Sequence, residues 1–491
     1  MKRIRKKVLY IITALILIYL LLLIPGPADK DNIAGAVKEP FSWNRDDQWR
    51  QMEKLFLQAK KMQPHELDSV IAQKKIIAES ELALLQQLGK SSEDSNWLSA
   101  ENNFFTLASL VAVDQTRLPW FIDYYTRFRN TVKLQSEQWN MNERVTRNTI
   151  YILLYGMRAA VEEVLLQTGS GPYAAAMPVK NERSVTPVTS IFGIEVHSGD
   201  LLVSRGGAEV SALISRGNDY PGNFSHVALV YVDERTKEPF LIEAHIEKGV
   251  AVASVAQYES DKKLRFMVMR PRWDLPQIQT NPMLVHKAAK AVYEEAMQRH
   301  IPYDFKMDFS DPSKMFCSEV GSYAYQKAGI PVWKYPSSIS SPGVVNWLHA
   351  FGVENFVTQM PSDLEYDPQF SVVAEWRDPG TFFKDHIDNA VMDVLLEKAN
   401  AGKKIGYNIW QLPVVRVLKG YCIIKNLFGK EGMIPEGMSA VQALKNQTFV
   451  AMHANLKNKT MLLADDFVKQ NGYRPPYWQL VTLARKAAEE K

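Results

Sequence analysis

The stretch His226-Val227-Ala228-Leu229-Val230-Tyr231-Val232 constrains this chain most. A histidine leading six apolar or β-branched residues reads as a buried strand rather than as one face of a helix. A second apolar run, Phe240-Leu241-Ile242-Glu243-Ala244-His245, follows the turn residues Asp233 to Glu238 and is expected to pair with the first. A glutamate inside such a run is costly unless partnered, so Glu243 needs a cationic or hydrogen-bonding neighbour. Further on, in Lys314-Met315-Phe316-Cys317-Ser318-Glu319-Val320, a loop meets an apolar-periodic run, and Cys317 is one of two cysteines in 491 residues. A thiol at a helix N-terminus faces unpaired backbone N–H groups and the positive end of the macrodipole, so its thiolate is favoured there. Cysteine and histidine together suggest thiol catalysis.

The order of the pieces identifies them. In papain the cysteine precedes the histidine, whereas here the histidine strand comes first and the cysteine helix last. The series Gly199-Asp200-Leu201-Leu202-Val203, Ser225 to Val230, Leu241 to Ala244, Pro302-Tyr303-Asp304 and Phe316-Cys317-Ser318-Glu319 resembles the circularly permuted NlpC-like papain-fold family, which is related to lecithin:retinol-acyltransferase-like enzymes. The resemblance covers about residues 190–345. It implies Cys317 as nucleophile, His226 as the base that takes its proton and later protonates the leaving group, and a polar third residue that fixes the imidazole. Glu243 is the expected third residue. His245 is the alternative, since it shares a strand face with Glu243 and some acyltransferase-like relatives use a histidine there. The resemblance further implies a Tyr303 hydroxyl near the oxyanion position, supplementing the Cys317 N–H. Asp304 reads as a turn-capping residue, Asp200 as a turn residue, and Glu319 as a first-turn helix acid whose side chain points away from the thiol.

Charge and hydropathy place the rest. Lys2, Arg3, Arg5, Lys6 and Lys7 account for more than the whole net charge of +4, so the body is near neutral and is not a nucleic-acid binder by charge. They run straight into seventeen uncharged residues, Val8 to Ile24, stopped by Pro25-Gly26-Pro27. At about 25 Å of helix this is near the lower limit for a transmembrane segment, and the positive-inside rule sends the chain after about residue 28 outward. A retained anchor is expected rather than a signal peptide, because the nearest small-x-small triplet, Ala34-Gly35-Ala36, lies ten residues past the run. No cysteine follows the run, which excludes a lipoprotein. Cys422 reads as a small buried hydrophobe, and both thiols are expected to be free.

Helical periodicity marks Trp49 to Ala59, Leu67 to Leu88, a stretch around Trp120 to Tyr125, and Ile150 to Leu166; after about residue 350 the pattern is again mostly helical. Metal-spaced Cys/His sets, glycine-rich phosphate loops and repeats do not occur, so no cofactor and no metal are expected. The expected architecture is α+β, with a central permuted papain-like (NlpC-type) domain flanked by helical regions and an N-terminal transmembrane helix. Its divisions are 1–28 basic tail and anchor, 38–168 helical domain, 169–189 linker, 190–348 catalytic domain and 349–491 helical C-terminal region. The expected function is an envelope thiol hydrolase or acyltransferase, cleaving an amide or ester bond of a peptidoglycan peptide or acyl lipid through a Cys acyl-enzyme. Its expected place is the bacterial cytoplasmic membrane, crossed once through residues 8–24, with the catalytic domain outside; the sequence leaves the oligomeric state open. The alternative is an inert envelope scaffold or a lipid-binding protein that keeps the fold.

Overall fold

A computed structural model describes residues 2–24, 33–43, 46–87, 89–168, 176–178, 182–428, 430 and 432–490. At its centre is a seven-stranded antiparallel sheet. From edge to edge it runs Ala176–Pro178, Phe370–Arg377, Lys263–Pro271, Leu201–Gly206, His226–Val232, Pro239–His245 and Gly249–Ser254. The strand Phe370–Arg377, about a hundred residues downstream of its neighbour, pairs with Lys263–Pro271 through a register that shifts between Val372 and Ala374. Both sheet faces are covered, which is why its strands are continuous apolar runs and not alternating ones. Val203, Val227, Leu229 and Tyr231 pack with Val285, Ala289, Val320 and Ala324 of the helices Leu284–Gln298 and Cys317–Lys327. Leu202, Ala228, Val230 and Val268 pack with Ile191, Ile194 and Val196 of a short hairpin, Val188–Ile191 and Ile194–His197.

Before the sheet, helices Asp46–Ala59, Pro64–Leu85, Ser95–Val111, Leu118–Gln135 and Arg144–Tyr151 build a bundle, the last continuing through a π-helical turn, Ile152–Gly156, into Met157–Gln167. The helix Ser95–Val111 is absent from the periodicity reading. Its buried side includes the polar Glu101 and Asn103 beside Trp97, Phe104 and Leu107, while its exposed side carries Leu98, so the apolar stripe is blurred in the sequence. Bundle and sheet share a buried ionic seam. Arg158 holds Glu365 with two bonds of 2.8 and 2.9 Å, and Glu162 accepts from Arg265 at 2.7 Å and Arg377 at 2.9 Å. Three further helices, Phe382–Asn400, Ala440–Asn471 and Tyr477–Glu489, close the other flank around Val391, Leu395, Phe449 and Leu480. Of the expected linker, residues 169–175 and 179–181 lie outside the described residues.

The expected transmembrane helix needs correction: among the described residues no helix is long and apolar enough to cross a membrane. The N-terminal helix is Lys2–Leu22, so its uncharged part begins at Val8 and ends at Leu22. That is about 22 Å of helix against a hydrocarbon core of about 30 Å. Its end is instead tied to the helix Leu412–Leu427. Arg416 donates to the carbonyls of Leu22 at 2.8 Å and Ile24 at 2.7 Å, and the Tyr19 hydroxyl donates to the Trp410 carbonyl at 2.8 Å.

Candidate active site

Three elements bring the candidate residues together: His226 opens one central strand, Glu243 lies on the next, and Cys317 is the first residue of the helix packed across them. Ala228 faces Glu243 in the register, so two residues further His226 lies opposite His245 and diagonal to Glu243. The diagonal partner takes the bond. His226 Nε2 lies 2.7 Å from Glu243 Oε2, while His245 Nε2 stands 3.5 Å from the other carboxylate oxygen and its ring 5.3 Å from that of His226. With Nε2 engaged, Nδ1 is the nitrogen left to exchange a proton with a reacting group.

Electrostatics follow from burial and these bonds. Burial alone would raise Glu243, yet hydrogen bonds from His226 and His245, with the Lys263 charge, outweigh it and hold the carboxyl below the usual range. Loss of hydration lowers His226 below the ordinary imidazole value, and Glu243 only partly restores it. Lys263, missed in the sequence, is 8 % exposed, with its ammonium 4.3 Å from the Tyr258 ring centroid. It arrives through the pairing of its strand with Gly206, a relation that no local pattern announces.

Cys317 behaves otherwise than its helix position implies. Burial pushes its thiol up to about 11, against the pull of the N–H groups of Val227, Ser318 and Cys317 itself. The side chain is 4 % exposed, and Sγ sits 3.7 Å from the Ser225 carbonyl, the residue before His226. Among the described residues no hydrogen bond joins Cys317 to His226, and burial favours the neutral form of both the thiol and the imidazole. The dipole's preference for a thiolate is outweighed because the thiol lacks water and a bonded cation. Cys422 is also buried and unpaired, and its sulfur accepts the Ile434 N–H at 3.5 Å.

The Tyr303 loop is seated on the far edge of the sheet. Val250 donates to the Ile301 carbonyl, and Gly249 at φ +72° permits the approach, since a Cβ there would lie 2.1 Å from that oxygen. Tyr303 bridges to Met315, two residues before the thiol. Loss of hydration raises its hydroxyl well above the ordinary value, and among the neighbouring acidic groups Cys317 adds most to this. Asp304 caps its own loop, accepting from the N–H groups of Lys306 and Asp308. Asp200 bonds the His197 N–H and pairs with Arg270 at 2.8 Å. Glu319 turns back to accept the Phe316 N–H at 2.8 Å, and burial pushes its carboxyl up to about 9.

Two imidazoles and one carboxylate converge here, with one ligand atom each of His226, Glu243 and His245 within 4.8 Å of one another, a set that a divalent metal ion could also use. The 2.7 Å His226–Glu243 bond satisfies two of those atoms without one.

No curated protein and no solved structure matches this chain. Residues 195–374 match the family model described as permuted papain-like amidase enzyme, YaeF/YiiX, C92 family, and that span includes Cys317, His226 and Glu243. The middle of this chain is therefore a permuted papain-like domain, similar to that amidase family over residues 195–374.

Proposed function

We propose that the protein is a cysteine hydrolase of the cell envelope in which Cys317 attacks an amide or ester carbonyl and forms an acyl-enzyme. The observation that carries this is the buried His226–Glu243 bond of 2.7 Å on the strand whose preceding carbonyl, that of Ser225, lies against Cys317 Sγ. The amidase family of the domain supports hydrolysis over transfer of the acyl group to a second acceptor.

The chemistry follows from a neutral resting pair. As Sγ forms its bond to the carbonyl carbon, the thiol proton passes to His226 Nδ1, and the imidazolium so formed is stabilised by ionised Glu243 on Nε2. The carbonyl oxygen takes up negative charge towards the Cys317 N–H, with the Tyr303 hydroxyl as second donor. Collapse breaks the bond to the leaving amine or alcohol, which takes the proton from His226. Water then adds to the thioester by the same route in reverse, releasing the acid and the thiol. Peptidoglycan peptides and acyl lipids are the two substrate classes proposed, and the basic residues before the apolar N-terminal helix support action at the envelope.

The test is acyl trapping. The chain is incubated with p-nitrophenyl acyl esters and with short acyl-amide peptides, then digested and analysed by mass spectrometry. An acyl group on Cys317 is expected in the unsubstituted chain, absent in Cys317→Ala and formed far more slowly in His226→Ala, which lacks the base that takes the thiol proton. Release of p-nitrophenol that survives Cys317→Ala defeats the proposal.

A further inference from the structure

One helix of this protein carries a face that none of the described residues covers. Along Leu412–Leu427 and its flanks, Trp410, Val414, Val417, Tyr421, Ile424 and Phe428 recur at intervals of three and four, and each is more than half exposed. Such a stripe, about 27 Å long, occupies one side of the helix. The opposite side is packed, with Val415, Leu418 and Cys422 against Ile434 and Met438. The N-terminal helix, tied to this one through Arg416 and Tyr19, is exposed on Leu9, Ile11, Leu15, Ile16, Ile18 and Leu20. Two neighbouring apolar surfaces thus meet at one corner of the molecule.

Their charge is one-sided. Residues 403–430 hold Lys403, Lys404, Arg416, Lys419, Lys425 and Lys430 and no acid, and residues 2–24 hold five basic residues and no acid. These segments contain eleven of the 58 basic residues and none of the 54 acidic ones, so the remainder is net acidic. A second copy of the chain seated on this corner would set basic against basic. An anionic lipid surface instead meets the apolar stripe with acyl chains and the lysines with headgroups, and the aromatic residues Trp410, Tyr421 and Phe428 suit the boundary between them.

We infer that the Leu412–Leu427 stripe and the N-terminal helix together rest in the surface of an anionic bilayer, lying in it rather than spanning it. The consequence reaches the candidate site. The packed side of the Leu412–Leu427 helix shares its cluster with Ile246, adjacent to His245, and Phe305, whose ring lies 5.1 Å from that of Tyr303. The docking helix thus sits on the two loops that flank the reaction centre. The inference stands on surface chemistry and holds whether or not Cys317 turns over substrate.

The full chain is tested with a nitrobenzoxadiazole dye on Val417→Cys or Ile424→Cys, and on Ile76→Cys of the exposed bundle surface as the distant control; the unsubstituted chain measures labelling of the buried native thiols. In vesicles of phosphatidylcholine and phosphatidylglycerol, nitroxide-bearing lipid should cut emission about twofold at 417 and 424 and leave 76 unchanged, with iodide acting the opposite way. Iodide quenching at 417 and 424 places the stripe in water and overturns the inference. Quenching there by neither agent means that protein covers it, and equal lipid quenching at 76 means adsorption without a defined face; either result also overturns it.

Discussion

Cys317 keeps its proton at neutral pH because burial holds the thiol near 11, so the proton has to leave during attack rather than before it. Iodoacetamide should therefore react slowly with Cys317 at pH 7 and about tenfold faster per pH unit towards pH 11. Alkylation rates by peptide mass spectrometry check this, and a plateau below pH 8 would reveal a standing thiolate. Turnover should follow a different group. His226 accepts a proton only when neutral, and its value is lowered, so the rate rises with pH through a midpoint below that of an ordinary imidazole and then levels. Glu243→Gln leaves Nε2 with a neutral partner and should reduce kcat by about 100-fold or more, whereas His245→Ala should stay within about threefold. The reverse ranking would give the orienting role to His245. His226 is the partner of Glu243, and the need for a partner was legible in the sequence, because a carboxylate alone in an apolar strand is costly. The protonation state was not, since it depends on how much water the folded site admits. Lys263 was hidden for a related reason: it becomes a neighbour of Glu243 only through strand pairing.

The helix that begins at Cys317 carries its own pH sensitivity. Glu319 closes its first turn, and its carboxyl is raised to about 9 by burial, so between the ordinary value and 9 the folded state holds a proton that the unfolded chain has released. Stability contributed in this way is complete in acid and is lost as pH rises through that window. Glu319→Gln keeps a neutral side chain that still accepts the Phe316 N–H. Relative to the parent, the variant should be more stable at pH 9 than at pH 5, as read from urea midpoints; an unchanged difference would mean that the glutamate is ionised in the fold. Among the elements, strands with continuous apolar runs and helices with one wet face were legible. The helix Ser95–Val111 was not, because Glu101 and Asn103 lie on its buried side and Leu98 on its exposed side, which blurs its period.

Across the whole molecule, Glu162 belongs to the bundle, Arg265 and Arg377 to the sheet, and Asp385, which pairs with Arg265, to the C-terminal helices. Removing one partner leaves charges buried without compensation, so Glu162→Gln should cost about 3–5 kcal/mol by urea denaturation. It should also loosen all three regions together; loss confined to the bundle would show that the seam does not couple them. These long-range pairings have no local sequence signature, and neither does the join of the Phe370–Arg377 strand to Lys263–Pro271. The Arg416 contact extends the same logic to the time at which parts are made. The carbonyl of Leu22 is capped by a guanidinium 394 residues later, which at ribosomal speeds of about 5–20 residues per second emerges roughly 20–80 s after the helix it completes. During synthesis the helix Lys2–Leu22 therefore waits with its last turn open until a segment made long after it arrives to complete it.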